Sequence, residues 1–133
     1  QGPPINKGRS WATRLMPYTG SILLIYLGVH LLDFTFTKPS DLNGIVRGEF
    51  LGLYGLVYNA FLNPLRILFY IAAMFSLGFH LTHGIQSFVQ TIGFTSRNTM
   101  VMWQRFGLAL GIIVFVGFSS IPIYVLMDYF FIN

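Results

Sequence analysis

Three stretches of this chain each run for about the twenty residues that a membrane-spanning helix needs, without a charge inside them. No other feature narrows the fold as far. The first lies between Arg14 and Asp33 and reads LMPYTGSILLIYLGVHLL, the second extends from Ile67 to Ser96, and the third from Phe106 to Met127. In hydrocarbon a backbone must satisfy its own hydrogen bonds, so such segments are expected to be α-helices. The expected fold class is therefore all-α, an integral membrane helical bundle with three transmembrane helices. The spans are placed at 16–36, 64–92 and 106–127, with inner-side segments at 1–15 and 93–105 and an outer-side loop at 37–62. Asn63-Pro64 is a helix-start signal for the second span. In the third, Gly107 and Gly111 have the small-xxx-small spacing that lets another helix approach, and Pro122 is a candidate kink. The loop carries a Pro/Ser/Asp turn and then FLGLYGLVYNAFLN, an apolar, Tyr-rich stretch broken by glycine. It reads as an interfacial helix with its aromatics at headgroup level.

Composition agrees with a bilayer as the outer solvent. Hydrophobic residues make up 54% of the chain and charged residues 9%, against roughly a quarter charged in an ordinary soluble domain. Cysteine is absent, which excludes disulfides, iron-sulfur ligation and thiolate metal sites by this chain and leaves His and carboxylates as metal ligands. The net charge of +4 comes from basic residues at segment edges rather than from a patch interleaved with aromatics, so no nucleic-acid partner is expected. Lys7, Arg9, Arg14, Arg97 and Arg105 flank one side without an acid, whereas Lys38, Arg47 and Arg66 share theirs with Asp33, Asp41, Glu49 and Asp128. The positive-inside rule then places the N-terminus in the cytoplasm, or on the matrix side of a mitochondrion. The opening QGPPINKGRS has no apolar core and reads as the tail of a linker rather than a secretory signal, as in a processed product or part of a longer polypeptide.

All three histidines, His30, His80 and His83, fall inside spans, where an ionisable group is expensive and invites a functional reading. Each imidazole either hydrogen-bonds to a neighbouring helix or serves as a ligand. Around His80 the same face of the helix carries Ala72, Ala73, Ser76, Gly84 and Ser87, a small-residue stripe that leaves room for a flat macrocycle and equally suits close helix packing. With the first helix running outward and the second inward, His30 falls in the outer half and His80 in the inner half. Ligands at such different depths suit two separate haems rather than two faces of one. His83 reads as a polar neighbour near the inner boundary, beside a propionate or simply hydrogen-bonded. Asp33 reads as an interface residue, with ligand orientation or proton uptake as the other roles open to it. Arg14 is either a headgroup anchor or a charge-assisted partner of a propionate or quinone.

These residues resemble a known family. YTGSILLIYLGVHLLDF and FYIAAMFSLGFHLTHGIQSFVQTIGF look like the cytochrome b membrane anchor of succinate:quinone oxidoreductases, the single-polypeptide two-haem type. The resemblance runs from about Ser10 through the third span and is most specific in the second block. It implies that His30, eleven residues after Thr19, and His80, four residues before Gly84 in FHxxxG, are ligands to iron, one to each of two haems b. Of the two histidines in the second span only His80 carries over from the family; His83, Ser76, Gly84 and Arg14 are candidate cofactor-site residues by their position in the chain. The implied activity is electron transfer in succinate dehydrogenase or fumarate reductase (complex II), between an iron-sulfur subunit, itself served by a flavoprotein subunit, and a membrane quinone. The family's two N-terminal helices and their histidines have no counterpart in these 133 residues, so further anchor helices, in the same or a separate polypeptide, are expected as partners. The implied location is the inner (cytoplasmic) membrane or the mitochondrial inner membrane. A three-helix anchor subunit of a single-haem complex II and a haem-free transport or assembly subunit are the rival readings.

Overall fold

The computed structural model describes residues 11–93 and 97–131, and the expected linker tail up to Ser10 lies outside them. Helix α1, Trp11–Leu31, continues into a π-helical turn, Leu32–Phe36. A hairpin of β1, Ile45–Val46, and β2, Glu49–Phe50, leads into the short helix α2, Leu53–Ala60. Two long helices follow, α3 over Pro64–Ile92 and α4 over Arg97–Phe131. The fold is an all-α bundle in which three helices are long and apolar enough to cross a membrane, over Thr13–Phe36, Pro64–Ile92 and Thr99–Phe131.

The helix ends follow from local chemistry. At the start of α3 the Asn63 side chain accepts from the backbone N–H of Leu65 at 3.0 Å and of Arg66 at 3.4 Å, and Pro64 takes the first turn, where its missing N–H leaves nothing unsatisfied. Gly93, at φ 89°, ends it in the left-handed conformation that glycine adopts freely. Helix α4 starts at Arg97 and reaches Phe131, so most of the expected inner loop 93–105 is helical and the helix passes the expected end at Met127. Apolarity sets where hydrocarbon begins, but a helix continues until a breaker stops it, and the stretch from Thr99 to Phe106 contains none.

Helix α3 is central, packed against α1 on one side and α4 on the other. The α3–α4 crossing is backbone to backbone. A Cβ on Gly78 would meet the Gly111 carbonyl oxygen at 2.7 Å, and one on Gly111 would meet that of Gly78 at 2.5 Å. The Thr82 hydroxyl reaches across to the Gly107 carbonyl at 3.2 Å. The Gly107–Gly111 face, whose spacing lets another helix approach, is thus occupied by the chain's own α3. Spacing shows that a helix can come close and does not say whose.

The segment 37–62 is more structured than an interfacial helix alone. Arg47 and Gly48, at φ 52° and 84°, form the two-residue turn of the hairpin, the twist that tight hairpins require. Asn59 donates to the carbonyls of Asn43 at 3.0 Å and Ile45 at 2.8 Å, and buried Gly55 lies directly on the Gly44 backbone, where no Cβ fits. Hairpin and α2 therefore form one strap. It is fastened to α4 through Asp128, which accepts from Arg47 at 2.9 Å and from the Tyr58 hydroxyl at 2.9 Å.

Candidate functional site

The two histidines with the strongest ligand signal sit at different levels of the α1–α3 pair. His80 on α3 is level with Thr19 and Gly20 of α1. Its Nδ1 lies 3.0 Å from the Thr19 hydroxyl, and a Cβ on Gly20 would stand 3.6 Å from its Cε1. The missing side chain at Gly20 lets the ring lie against the α1 backbone. His30 is eleven residues beyond Thr19 on α1, roughly 16 Å along the axis at 1.5 Å per residue. Its ring neighbours are Tyr26, Phe34 and Tyr70, with centroids 5.5, 5.3 and 6.2 Å away. The rings thus belong to separate environments.

Those environments differ in polarity as well as depth. His80 has its Nδ1 partnered by Thr19, whereas His30 Nδ1 is buried with no hydrogen-bond partner among the described residues. His30 borders a cavity of about 300 Å³ that reaches from α1 across α2 and α3 to Phe118 and Pro122 of α4. Among the described residues no three His, Asp or Glu side chains gather around one point, so each histidine offers a single ligand rather than part of a chelating set.

The remaining expected residues divide. His83 looks away from Thr19 into a separate cavity of about 310 Å³ between α3 and α4, its ring 4.7 Å from that of Phe79. The hydroxyl of buried Ser76 donates to the Ala72 carbonyl of its own helix at 2.9 Å and is spent there. Gly84 has nothing within 4 Å of where a Cβ would stand. The small stripe around His80 is therefore split, since Ala73 and Ser76 are buried in the bundle while Gly84 and Ser87 border open space. Room beside His80 lies toward the C-terminal end of α3. Arg14 is exposed near the start of α1, at the end of the bundle that carries His80, and forms no ion pair among the described residues.

Sequence reasoning missed a polar network at the opposite end. Asp33, in the π-helical turn, pairs with Arg66 at 3.1 Å and accepts from the Tyr70 hydroxyl at 3.0 Å. Arg66 and Tyr70 are one turn apart at the start of α3, so the i, i+4 spacing of a cation and a phenol beyond Asn63-Pro64 was the available signal. Tyr70 also joins this network to the His30 environment, because its ring packs edge-on to Tyr26 at 5.3 Å and Phe61 at 5.1 Å. With the Arg47–Asp128–Tyr58 clamp, it gives this end of the bundle two acids that each hold an arginine and a tyrosine. Asp33 is thereby tied into the bundle by an ion pair and a hydrogen bond.

Comparison of the chain with protein-family models, with curated proteins and with solved structures finds no match.

Proposed function

We propose that the chain is the haem b-binding membrane anchor of a succinate:quinone oxidoreductase, passing electrons between an iron-sulfur subunit and a membrane quinone. The observation that carries this reading is the pair of histidines on adjacent antiparallel helices, roughly 16 Å apart along the axis, each offering one ligand with no second histidine facing it in this chain. A haem supplies a one-electron carrier in a setting where free charge is unstable. The residues suit that role. Imidazole is a common axial ligand, and the Gly20 and Gly84 positions keep bulk away from His80. Each haem would take its second ligand from further anchor helices, in the same or another polypeptide. The enzyme-level activity, succinate dehydrogenase or fumarate reductase, belongs to the assembly with its flavoprotein and iron-sulfur subunits in the inner membrane of a bacterium or a mitochondrion.

A dithionite-reduced optical spectrum of the assembled complex tests the reading. Two b-type haems are expected, and His30→Ala and His80→Ala should each remove one and leave the other. Retention of both haems in both variants would refute the ligand assignment, and an absence of b-type bands would leave a haem-free membrane subunit. The unpartnered Nδ1 of His30 favours a second reading, a single-haem anchor in which only His80 ligates. One haem per complex, lost in His80→Ala alone, would decide for it.

A further inference from the structure

We propose that Thr19 is the positioning residue for His80, fixing its ring in the Nδ1–H tautomer and so presenting Nε2 as the free lone pair for a haem iron. The inference rests on the haem-binding reading above for its ligand, and on hydrogen-bond accounting for its tautomer. A threonine hydroxyl has one proton and two lone pairs. The Thr19 Oγ1 stands 3.1 Å from the Met16 carbonyl and 3.3 Å from that of Leu15, so its proton has two acceptors on its own helix. Its lone pairs then face His80 Nδ1 at 3.0 Å, and the ring donates.

The opposite tautomer leaves a worse account. With the proton on Nε2, the threonine would donate to Nδ1, and the Nε2–H would have no acceptor among the described residues, because the contact with Thr19 is the one hydrogen bond His80 makes there. An unpaired N–H donor away from water is costly, whereas a lone pair left free is cheaper and is what a metal requires. The ring lies beside the bare backbone of Gly20, where a Cβ would stand 3.6 Å from its Cε1. Donation from Nδ1–H also makes the other nitrogen more basic, which favours ferric over ferrous iron. His30, whose Nδ1 has no such partner, lacks this device. The two sites are therefore built to differ in potential as well as in depth.

The test uses the assembled complex in its membrane, with Thr19→Val, which keeps the shape and removes the hydroxyl, and Thr19→Ser, which restores it. A potentiometric titration followed in the haem absorption bands should show one midpoint potential raised in Thr19→Val, the other unmoved, and the first returned toward its original value in Thr19→Ser. Two unmoved potentials, or a serine variant that behaves like the valine one, would overturn the proposal. If wild type shows no b-type bands, the haem reading and the ligand role fall together, and solid-state NMR of ¹⁵N-histidine-labelled protein still decides the tautomer. A protonated Nδ1 on His80 that loses its hydrogen-bonded shift in Thr19→Val supports the positioning role, and a protonated Nε2 in wild type refutes it.

Discussion

Gly111→Ala is a one-methyl change whose effect the α3–α4 crossing makes large. The added Cβ would stand 2.5 Å from the Gly78 carbonyl oxygen and 2.6 Å from the Thr82 hydroxyl. Carbon and oxygen rest at about 3.3–3.6 Å, so the helices must separate by roughly 1 Å or the Thr82 side chain must leave its place. Overpacking of this kind costs about 1–3 kcal/mol. Moving Thr82 also weakens its bond to the Gly107 carbonyl, an interhelical contact of a type that averages about 0.6 kcal/mol in membranes. Alanine is in turn about 1 kcal/mol better than glycine inside a helix, which blurs the reading unless it is subtracted. Gly117→Ala supplies the subtraction, because it lies on the same helix with nothing within 4 Å of its Cβ position. Gly111→Ala should therefore be less stable than Gly117→Ala by roughly 2–4 kcal/mol. Unfolding of the detergent-solubilised protein in increasing SDS, followed by circular dichroism, measures the difference. Gly78→Ala combined with Gly111→Ala should cost less than the two separately, since one displacement relieves both clashes. If Gly111→Ala is as stable as Gly117→Ala, the close crossing is not formed and the packing argument fails.

Other expectations follow from the clamp and, on the proposed haem-binding function, from Arg14 and the histidines. Burial, and then the hydrogen bond donated to Asp128, pushes the Tyr58 hydroxyl above its ordinary value of 10.0. The stability this contributes is complete below about pH 10 and is lost as pH rises through the folded-state value, because the unfolded chain gives up its proton first. Tyr58→Phe should flatten the alkaline loss of stability measured in the same unfolding assay, and an unchanged pH profile would argue against the clamp. Arg14→Gln should leave haem content, midpoint potentials and quinone reductase rate unaltered, as for a headgroup anchor, whereas a shifted potential would reveal a propionate contact. The chain expressed alone should give no stable bis-histidine haem, and co-expression with a two-helix fragment bearing two buried histidines should restore it. A six-coordinate low-spin spectrum from a monomer of the isolated chain, its mass measured in detergent, would contradict the need for outside ligands.

The apolar runs by themselves determined the class and number of the long helices, because a segment of that length without charges has no stable non-helical form in hydrocarbon. Asn63-Pro64 likewise marked the start of α3, since capping is settled within a few residues. The histidines announced themselves by their expense, and helix direction with a rise of 1.5 Å per residue was enough to set His30 and His80 at different depths. What the sequence did not carry was any contact whose partner lies far along the chain. Gly107 and Gly111 were legible as a close-approach face, yet only packing assigned that face to α3. Asp33 and Asp128 read as boundary charges until the fold brought Arg66 and Tyr70 to one, and Arg47 and Tyr58 to the other. His80 and His83, three residues apart, were read as a ligand and its polar neighbour, but only the fold set the first against Thr19 of α1 and the second at the α3–α4 cavity. Local hydrogen bonding and solvent preference act over a few residues and can be read directly, whereas which nitrogen of His80 meets Thr19, sixty-one residues away, is decided by how two helices cross.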